Sequence, residues 1–214
     1  MATIRRLRTL LRGIRHGMLP AYWRVAKRWR TTRDAWAYID HPVPHHYFGE
    51  GSRREFGWYL QGASTVAVAS IEDIQRWLLR CTYKRDEALF GMSDHWQHPE
   101  HFEQLRKGDC EDHALWAWRK LRDLGIPARL FTGRVLIPVG GGAGFHAWVV
   151  FEQDEQHWLF ETTAVHIRRM LRPLDEVRAA YIPHYSVDHE LDVRMYCGHV
   201  KAGEVVMGSV EEIG

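Results

Sequence analysis

The spacing of apolar positions predicts helices at both the start and the middle of the chain. Near the N-terminus, apolar residues recur at three- and four-residue steps among arginines, which predicts one amphipathic basic helix. These positions are Ile4, Leu7, Leu11, Ile14 and Met18. A second helical stretch is predicted over residues 21–36. Ser70 is typical of a helix N-cap, and the pattern after it predicts a helix over residues 71–81.

The middle of the chain has the clearest pattern. Asp109 is predicted to cap a helix over residues 110–124, with Asp112 as a capping-box-like partner. Gly125 stands where a left-handed residue commonly ends a helix. Beyond it, β-branched and aromatic residues predict strands over residues 128–137, 145–152 and 157–162. Because a four-residue connection joins the last two strands, they are predicted to form an antiparallel hairpin.

Charge divides the chain unevenly. Of its 214 residues, 45% are hydrophobic and 26% charged, which is typical of a soluble globular protein. Residues 1–33 contain ten Lys or Arg and no acid, which leaves 19 basic and 27 acidic residues elsewhere, a net charge of −8. The stretch 41–52 is rich in Pro, Gly and His and predicts a linker. We therefore expect a basic helical extension over residues 1–40 and a main domain over residues 41–214.

The basic segment, residues 1–36, leaves several roles open. An Arg-rich amphipathic helix can bind an anionic membrane or nucleic acid, can resemble an organelle transit peptide, or can simply be a solvated or packing element. The segment lacks the apolar core of a secretory signal, and the chain has no apolar run of roughly 18 residues that would predict a membrane span. The sequence does not indicate an oligomeric state.

Cysteine usage favours a reducing compartment. An odd and small number of cysteines argues against a disulfide framework, and the chain has three: Cys81, Cys110 and Cys197. Together with the absence of an apparent export signal, this predicts a cytoplasmic protein.

Cys110 stands at the start of the best-defined predicted helix, where free backbone N–H groups and the helix dipole stabilise an anion. A cysteine at such a position is a candidate nucleophile, and the same N–H groups can stabilise an oxyanion. His146 follows a glycine-rich loop and is the candidate acid–base partner. Glu161, near the end of the paired strand, is the candidate group that orients His146.

Several segments resemble the transglutaminase-like superfamily. They are residues 108–114 (Gly-Asp-Cys-Glu-Asp-His-Ala), 124–129 (Leu-Gly-Ile-Pro-Ala-Arg), 145–148 (Phe-His-Ala-Trp) and 158–163 (Trp-Leu-Phe-Glu-Thr-Thr). Residues 94–99 (Asp-His-Trp-Gln-His-Pro) make the chain most similar to bacterial transglutaminase-like cysteine proteinases. The resemblance covers about residues 70–165.

This resemblance implies an α+β, papain/transglutaminase-like fold with the nucleophile helix packed on an antiparallel sheet. It implies a triad of Cys110, His146 and Glu161, although the family commonly has Asp at the third position. The expected function is cleavage of a peptide or protein amide bond through a thioester, as a peptidase or deamidase that requires no cofactor. The alternatives are a protein-glutamine acyltransferase and a non-catalytic binding module on the same fold.

The resemblance also implies residues around the triad. Trp96 would lie near the oxyanion site, and Gly144 and Trp148 would border the substrate groove. Asp109 and Glu111 would help to bind calcium, although Asp109 can equally be a helix cap. A transition-metal cluster is a further alternative for Asp109, Cys110, Asp112 and His113. It is disfavoured because adjacent residues rarely converge on one ion and no Cys-x-x-Cys pair accompanies them.

Overall fold

The computed structural model describes residues 34–136 and 143–199. Within them, a seven-stranded antiparallel sheet has the order β1-β9-β8-β4-β5-β6-β7. Its strands are β1 (Tyr38–Asp40), β4 (Ala128–Leu136), β5 (Ala143–Gln153), β6 (Gln156–Phe160), β7 (Leu171–Pro173), β8 (Tyr181–Asp188) and β9 (Val193–Tyr196). A short parallel pair is formed by β2 (Thr82–Tyr83) and β3 (Lys107–Gly108).

Helices pack on this sheet, so the predicted α+β fold is confirmed. They are α1 (Phe56–Tyr59), α2 (Ile71–Leu78), α3 (Asp86–Phe90), α4 (Pro99–Leu105), α5 (Cys110–Asp123), α6 (Ile167–Met170) and α7 (Leu174–Val177), with 3-10 turns at His45–Tyr47 and Arg178–Ala180. No helix in the described part of the chain is long and apolar enough to cross a membrane.

The central helix, α5, is buried on all sides from residue 111 to residue 121. One side packs on β4 and β5, where alternate residues such as Leu130 and Val149 face it. The other side is covered by α2 and α4, with Trp77 stacked on Trp116 at 3.9 Å between ring centroids. Burial from both sides fixes the position of the start of this helix.

The helix bounds agree with the sequence pattern, but one cap does not. Ser70 caps α2, because its hydroxyl accepts the N–H of Asp73 at 3.1 Å, although the helix ends three residues earlier than predicted. Asp109 is the N-cap residue of α5 but its side chain makes no capping hydrogen bond. Asp112 instead accepts the N–H of Gln97 at 2.8 Å, so the predicted capping box is wrong.

The predicted hairpin is confirmed, since β5 pairs antiparallel with β6. The strands are joined at Asp154 and Glu155, whose φ angles of 54° and 59° are those of a tight hairpin turn. The strand β6 ends at Phe160, so Glu161 lies just beyond it rather than within it. This position frees the Glu161 side chain from the alternation of the sheet.

The compact body starts at Asp34, so the predicted boundary at residue 40 falls inside it. The strand β1 pairs with β9, and Phe48 and Ser52 are fully buried, which shows that the predicted linker is part of the core. The predicted helix near the N-terminus and most of the stretch 21–36 lie outside the described residues. Membrane or nucleic-acid binding by the basic segment therefore stays a prediction.

Candidate active site

Cys110 is the first residue of α5 and is partly exposed at a cleft of about 700 Å³. The N–H groups of a first helical turn have no partner within the helix, and the helix dipole adds positive potential there. Gly108 allows the chain to enter the helix, because a Cβ at that position would lie 2.2 Å from Oδ2 of Asp112. The start of α5 thus presents a thiol beside donors that can stabilise an anion.

His146 lies near the start of β5, opposite Gly133 of β4. Its Nε2 atom lies 2.8 Å from Oε2 and 3.0 Å from Oε1 of Glu161. The Cys110 side chain lies close enough to raise the pKa of this imidazole, and the two residues border the same cleft. The structure therefore brings Cys110, His146 and Glu161 together, with the imidazole between the thiol and the carboxylate.

Hydrogen bonds of both the backbone and the carboxylate fix the position of Glu161. Its backbone N–H donates to the carbonyl of Met170 at 2.7 Å. The Thr163 hydroxyl donates to Oε1 at 2.7 Å, and the Tyr181 hydroxyl donates to Oε2 at 2.9 Å. Burial alone would raise the pKa of Glu161, but these hydrogen bonds and the imidazole of His146 lower it. Glu161 is thus an oriented, ionised carboxylate.

The protonation of His146 follows from its two partners. Burial alone would lower the pKa of His146, but hydrogen bonds with Cys110 and Glu161 and their negative charges raise it to about 10. The imidazole is therefore protonated at neutral pH. In this form it can stabilise a thiolate and can later donate a proton to a leaving group.

The cleft is bordered by Trp96 and Gly144, together with Thr132 of β4. Trp148 does not border it, in contrast to the expectation from sequence. Trp148 is fully buried, with its ring stacked under His146 at 6.2 Å and against Phe131 at 5.7 Å between centroids. Its position farther along β5 places it between core side chains, so it supports the imidazole from below.

A group of carboxyl side chains lies on the other side of Cys110. The carboxyl oxygens of Asp86, Asp94 and Glu111 lie within 4.8 Å of one another, as do those of Asp86, Asp109 and Asp112. Asp86, Glu111 and Asp112 are almost fully buried. Besides its contact with His146, the Cys110 thiol donates to Oε2 of Glu111 at 3.2 Å. The nucleophile candidate therefore lies between an imidazole and this acidic cluster, which we define as Asp86, Asp94, Asp109, Glu111 and Asp112.

Burial and mutual repulsion make four carboxyl groups of the acidic cluster hard to ionise. They raise the pKa of Asp86 to about 6 and raise the pKa values of Asp109, Glu111 and Asp112 as well. Within the described residues, the buried Oδ1 atoms of Asp86 and Asp109 receive no hydrogen bond from an N–H or hydroxyl donor. The neighbouring Glu111 carboxyl can donate to them only when it is protonated. Such a cluster must bind protons or a cation.

Of the residues in the transition-metal alternative, Asp109 and Cys110 group with Glu111, but His113 does not join them. His113 belongs to no group of potential metal ligands in the described part of the chain. Its Nδ1 atom lies 2.7 Å from the carbonyl oxygen of Asp109 and is buried in the core. Burial lowers the pKa of His113 to about 4, so the ring is a neutral core residue.

Sequence reasoning missed Asp86, Thr163 and Tyr181 and assigned no role to Asp94. Asp94 stands in the segment 94–99 that contributed to the family resemblance, so a signal for it was present. Asp86 and Tyr181 have no local pattern that points to the cleft, because long-range packing brings them there.

The fold and the cleft define a class: a papain/transglutaminase-like α+β domain with a cysteine at a helix start and a histidine on an antiparallel strand. Residues 56–160 match the family model of the transglutaminase-like superfamily. These residues form a transglutaminase-like domain that makes up just under half of the chain. A comparison with curated proteins finds no match.

Three solved structures match part of the chain at low sequence identity. LapG from Legionella pneumophila is 20% identical, with a TM-score of 0.46 over 72% of this chain and 84% of that chain. Its calcium-bound form has the same identity and TM-score over 69% and 80% of the two chains. A protein from Cytophaga hutchinsonii described as a candidate cysteine protease is 20% identical, with a TM-score of 0.37 over 66% and 48%.

Proposed function

We propose that the protein is a cysteine hydrolase that cleaves an amide bond of a peptide or protein through a thioester at Cys110. The observation that supports this function is the contact of Cys110 with His146, whose Nε2 atom in turn contacts Glu161 at 2.8 Å. A thiol, an imidazole and an orienting carboxylate are the groups that acyl transfer to cysteine requires. Three of the segments that carry the family resemblance supply these groups.

In the first half of the reaction, the Cys110 thiolate attacks the carbonyl carbon of the substrate. The resulting oxyanion lies near the N–H groups at the start of α5, with Trp96 bordering the same cleft. The C–N bond then breaks as the His146 imidazolium donates its proton to the leaving nitrogen. An amine departs and the acyl group stays on sulfur as a thioester.

In the second half, neutral His146 removes a proton from water as the water oxygen attacks the thioester. Collapse of this intermediate releases the carboxylic acid and returns the thiolate and the imidazolium. Glu161 maintains the orientation of the ring in both halves. An amine in place of water would instead make the protein an acyltransferase, which is the alternative function. A binding module without catalysis is the other alternative.

The acidic cluster fits a calcium ion. Ca²⁺ prefers several oxygen ligands in a flexible arrangement, and Asp86, Asp94, Asp109 and Glu111 offer carboxylates, of which Asp86 and Asp109 have an unpaired buried oxygen. A bound Ca²⁺ would neutralise these carboxylates and join the chain around Asp86 and Asp94 to the start of α5. It would also withdraw Glu111 from the Cys110 thiol. We therefore propose calcium as a structural ligand that is not itself a reactant.

The decisive experiment for the function has two parts. The protein is labelled with a peptide-aldehyde probe and the labelled residue is located by peptide mapping. Unlabelled protein is then incubated with a peptide mixture to identify the reaction. We expect the probe to attach to Cys110 in the wild type and in Cys81→Ala, but not in Cys110→Ala or His146→Ala. New acid termini or deamidated glutamines would establish hydrolysis, and incorporation of an added primary amine would establish transfer. Absence of labelling at Cys110 in the folded, calcium-supplied protein would leave the binding-module alternative.

We propose the cytoplasm as the location. The three cysteines, Cys81, Cys110 and Cys197, are all unpaired in the structure, which suits a reducing compartment.

A further inference from the structure

We propose that Tyr181 is a positioning residue that fixes the carboxylate of Glu161 against His146, an inference that rests on the proposed function. The Tyr181 hydroxyl donates to Oε2 of Glu161 at 2.9 Å, and this is the oxygen closest to Nε2 of His146, at 2.8 Å. One carboxylate oxygen therefore accepts hydrogen bonds from both Tyr181 and His146. The Tyr181 hydroxyl thus helps to hold this oxygen where it contacts the imidazole. Tyr181 does not border the cleft, so it acts through Glu161 and not on the substrate.

Glu161 requires such a clamp more than a shorter carboxylate would. Glu has one more rotatable bond than Asp, so its carboxylate loses more freedom when it is held in one orientation. The Thr163 hydroxyl and N–H donate to Oε1 at 2.7 Å and 3.3 Å. Tyr181 is the donor other than His146 that fixes Oε2 among the described residues. Together the two sets of donors define both the position and the plane of the carboxylate.

Tyr181 is itself held on several sides. It begins β8, opposite Val135 of β4, and its carbonyl accepts the indole N–H of Trp36 at 3.0 Å. Its ring packs edge-on against Trp148 at 5.2 Å, and Trp148 stacks under His146. A donor fixed by backbone pairing, a hydrogen bond from an indole and ring packing can impose its geometry on a flexible glutamate.

The charge state of Tyr181 suits this role. Burial and then the negative charge of Glu161 raise the pKa of Tyr181, so the hydroxyl stays protonated and donates. The other titratable or charged groups that act on this pair are His146 on β5, His113 on α5 and Arg172 on β7. Removal of the hydroxyl would raise the pKa of Glu161, because a hydrogen bond to a carboxylate favours its charged form.

The test measures the rate of Cys110 alkylation by iodoacetamide against pH, with peptide mapping to separate the three cysteines. Tyr181→Phe retains the ring and removes the hydroxyl. We expect the acid limb of the profile to move to higher pH, which slows alkylation roughly three- to tenfold along that limb. Tyr185→Phe is the matched control, because Tyr185 lies on the same strand and its hydroxyl contacts His199 instead.

A double-mutant cycle separates positioning from mere structural support. In a Glu161→Gln background, Tyr181→Phe should cause no further shift, because its effect passes through the ionised carboxylate. Additive shifts, or an unshifted profile for Tyr181→Phe in a protein whose profile does respond to Glu161→Gln, would overturn the inference. If the profile responds to neither His146→Ala nor Glu161→Gln, the proposed function fails instead.

Discussion

The Cys110 thiol donates a hydrogen bond to Oε2 of its own neighbour Glu111 at 3.2 Å, while its other polar partner is the imidazole of His146. The two partners have opposite effects on the sulfur. A protonated imidazole stabilises the thiolate, whereas a carboxylate at Glu111 favours the protonated thiol. The reactivity of Cys110 thus depends on what neutralises Glu111.

The first prediction concerns the selectivity of thiol labelling. Cys110 should react with iodoacetamide faster than Cys81 near pH 6, because it lies at a helix start beside an imidazolium, whereas burial raises the pKa of Cys81 to about 12. The measurement is peptide mapping of the folded protein after brief labelling. Equal labelling of the three cysteines under these conditions would contradict the proposed nucleophile.

The second prediction concerns calcium. Ca²⁺ should raise the melting temperature by several degrees, because the ion would offset the repulsion among the carboxylates of the acidic cluster. It should also speed alkylation of Cys110, because it would neutralise Glu111. EGTA should reverse both effects. Asp94→Asn should weaken both responses. Asp175→Asn, in the first turn of α7 and outside the cluster, is the control. Identical melting in Ca²⁺ and EGTA would remove calcium from the proposal.

Local patterns explain which parts of the fold were predictable. The start of α5, the left-handed Gly125 after it and the β5–β6 hairpin all follow from residues close together in the chain. The strand β1 was missed because its three residues become a strand only by pairing with β9, which is distant in sequence. A Pro- and His-rich segment therefore looked like a linker although its Phe48 is part of the core.

The candidate site divides in the same way. Cys110 and His146 could be proposed from local signals, a helix start and a glycine-flanked strand. The rest depends on long-range packing. Tyr181 reaches Glu161 only because β8 pairs with β4, and Asp86 joins the acidic cluster only because the start of α3 lies beside the start of α5. The expectation that Trp148 borders the substrate groove was wrong for a related reason, because a short motif does not show that a residue is buried at the centre of a sheet.

The third prediction concerns stability in acid. Burial, followed by the charges of His199 and Arg134, lowers the pKa of His184 to about 4. The unfolded state then binds more protons than the folded state below the ordinary histidine pKa of about 6.5, so this contribution to stability is lost as the pH falls from about 6.5 towards 4. His184→Phe should reduce the fall in melting temperature across this window by a few degrees. His166→Phe, at an exposed position, should leave the slope unchanged. Equal slopes for the wild type and His184→Phe would contradict the assignment.

The fourth prediction concerns the N-terminal boundary. A chain that starts at Asp34 should melt cooperatively near the temperature of the full chain, because the compact body begins there. A chain that starts at Glu50 should lose several kcal/mol of stability, since it lacks β1, the half-buried ring of Trp36 and the buried ring of Phe48. Calorimetry of the three chains provides the comparison. Loss of cooperative melting in the chain that starts at Asp34 would show that residues 1–33 contribute to the core.

The fifth prediction concerns Glu161, where the sequence departs from the aspartate common in related enzymes. Glu161→Gln should preserve the fold, because the amide oxygen can still accept from either Thr163 or Tyr181, but it removes the negative charge that stabilises the imidazolium. It also permits the wrong tautomer of His146. We expect turnover to fall by about ten- to a thousandfold, less than for Cys110→Ala, because orientation of the histidine is one of several contributions.

The control for this variant is Glu152→Gln, a carboxylate on the same hairpin that is exposed and does not contact the triad. Glu161→Asp should recover part of the activity only if the backbone after β6 can shift towards His146, because the aspartate side chain is shorter. This shift would break the hydrogen bond between the carboxylate and the Tyr181 hydroxyl. Its recovery should therefore be incomplete even where the charge is restored. Full turnover of Glu161→Gln on an identified substrate would mean that another group orients His146, while the pair of Cys110 and His146 would stand.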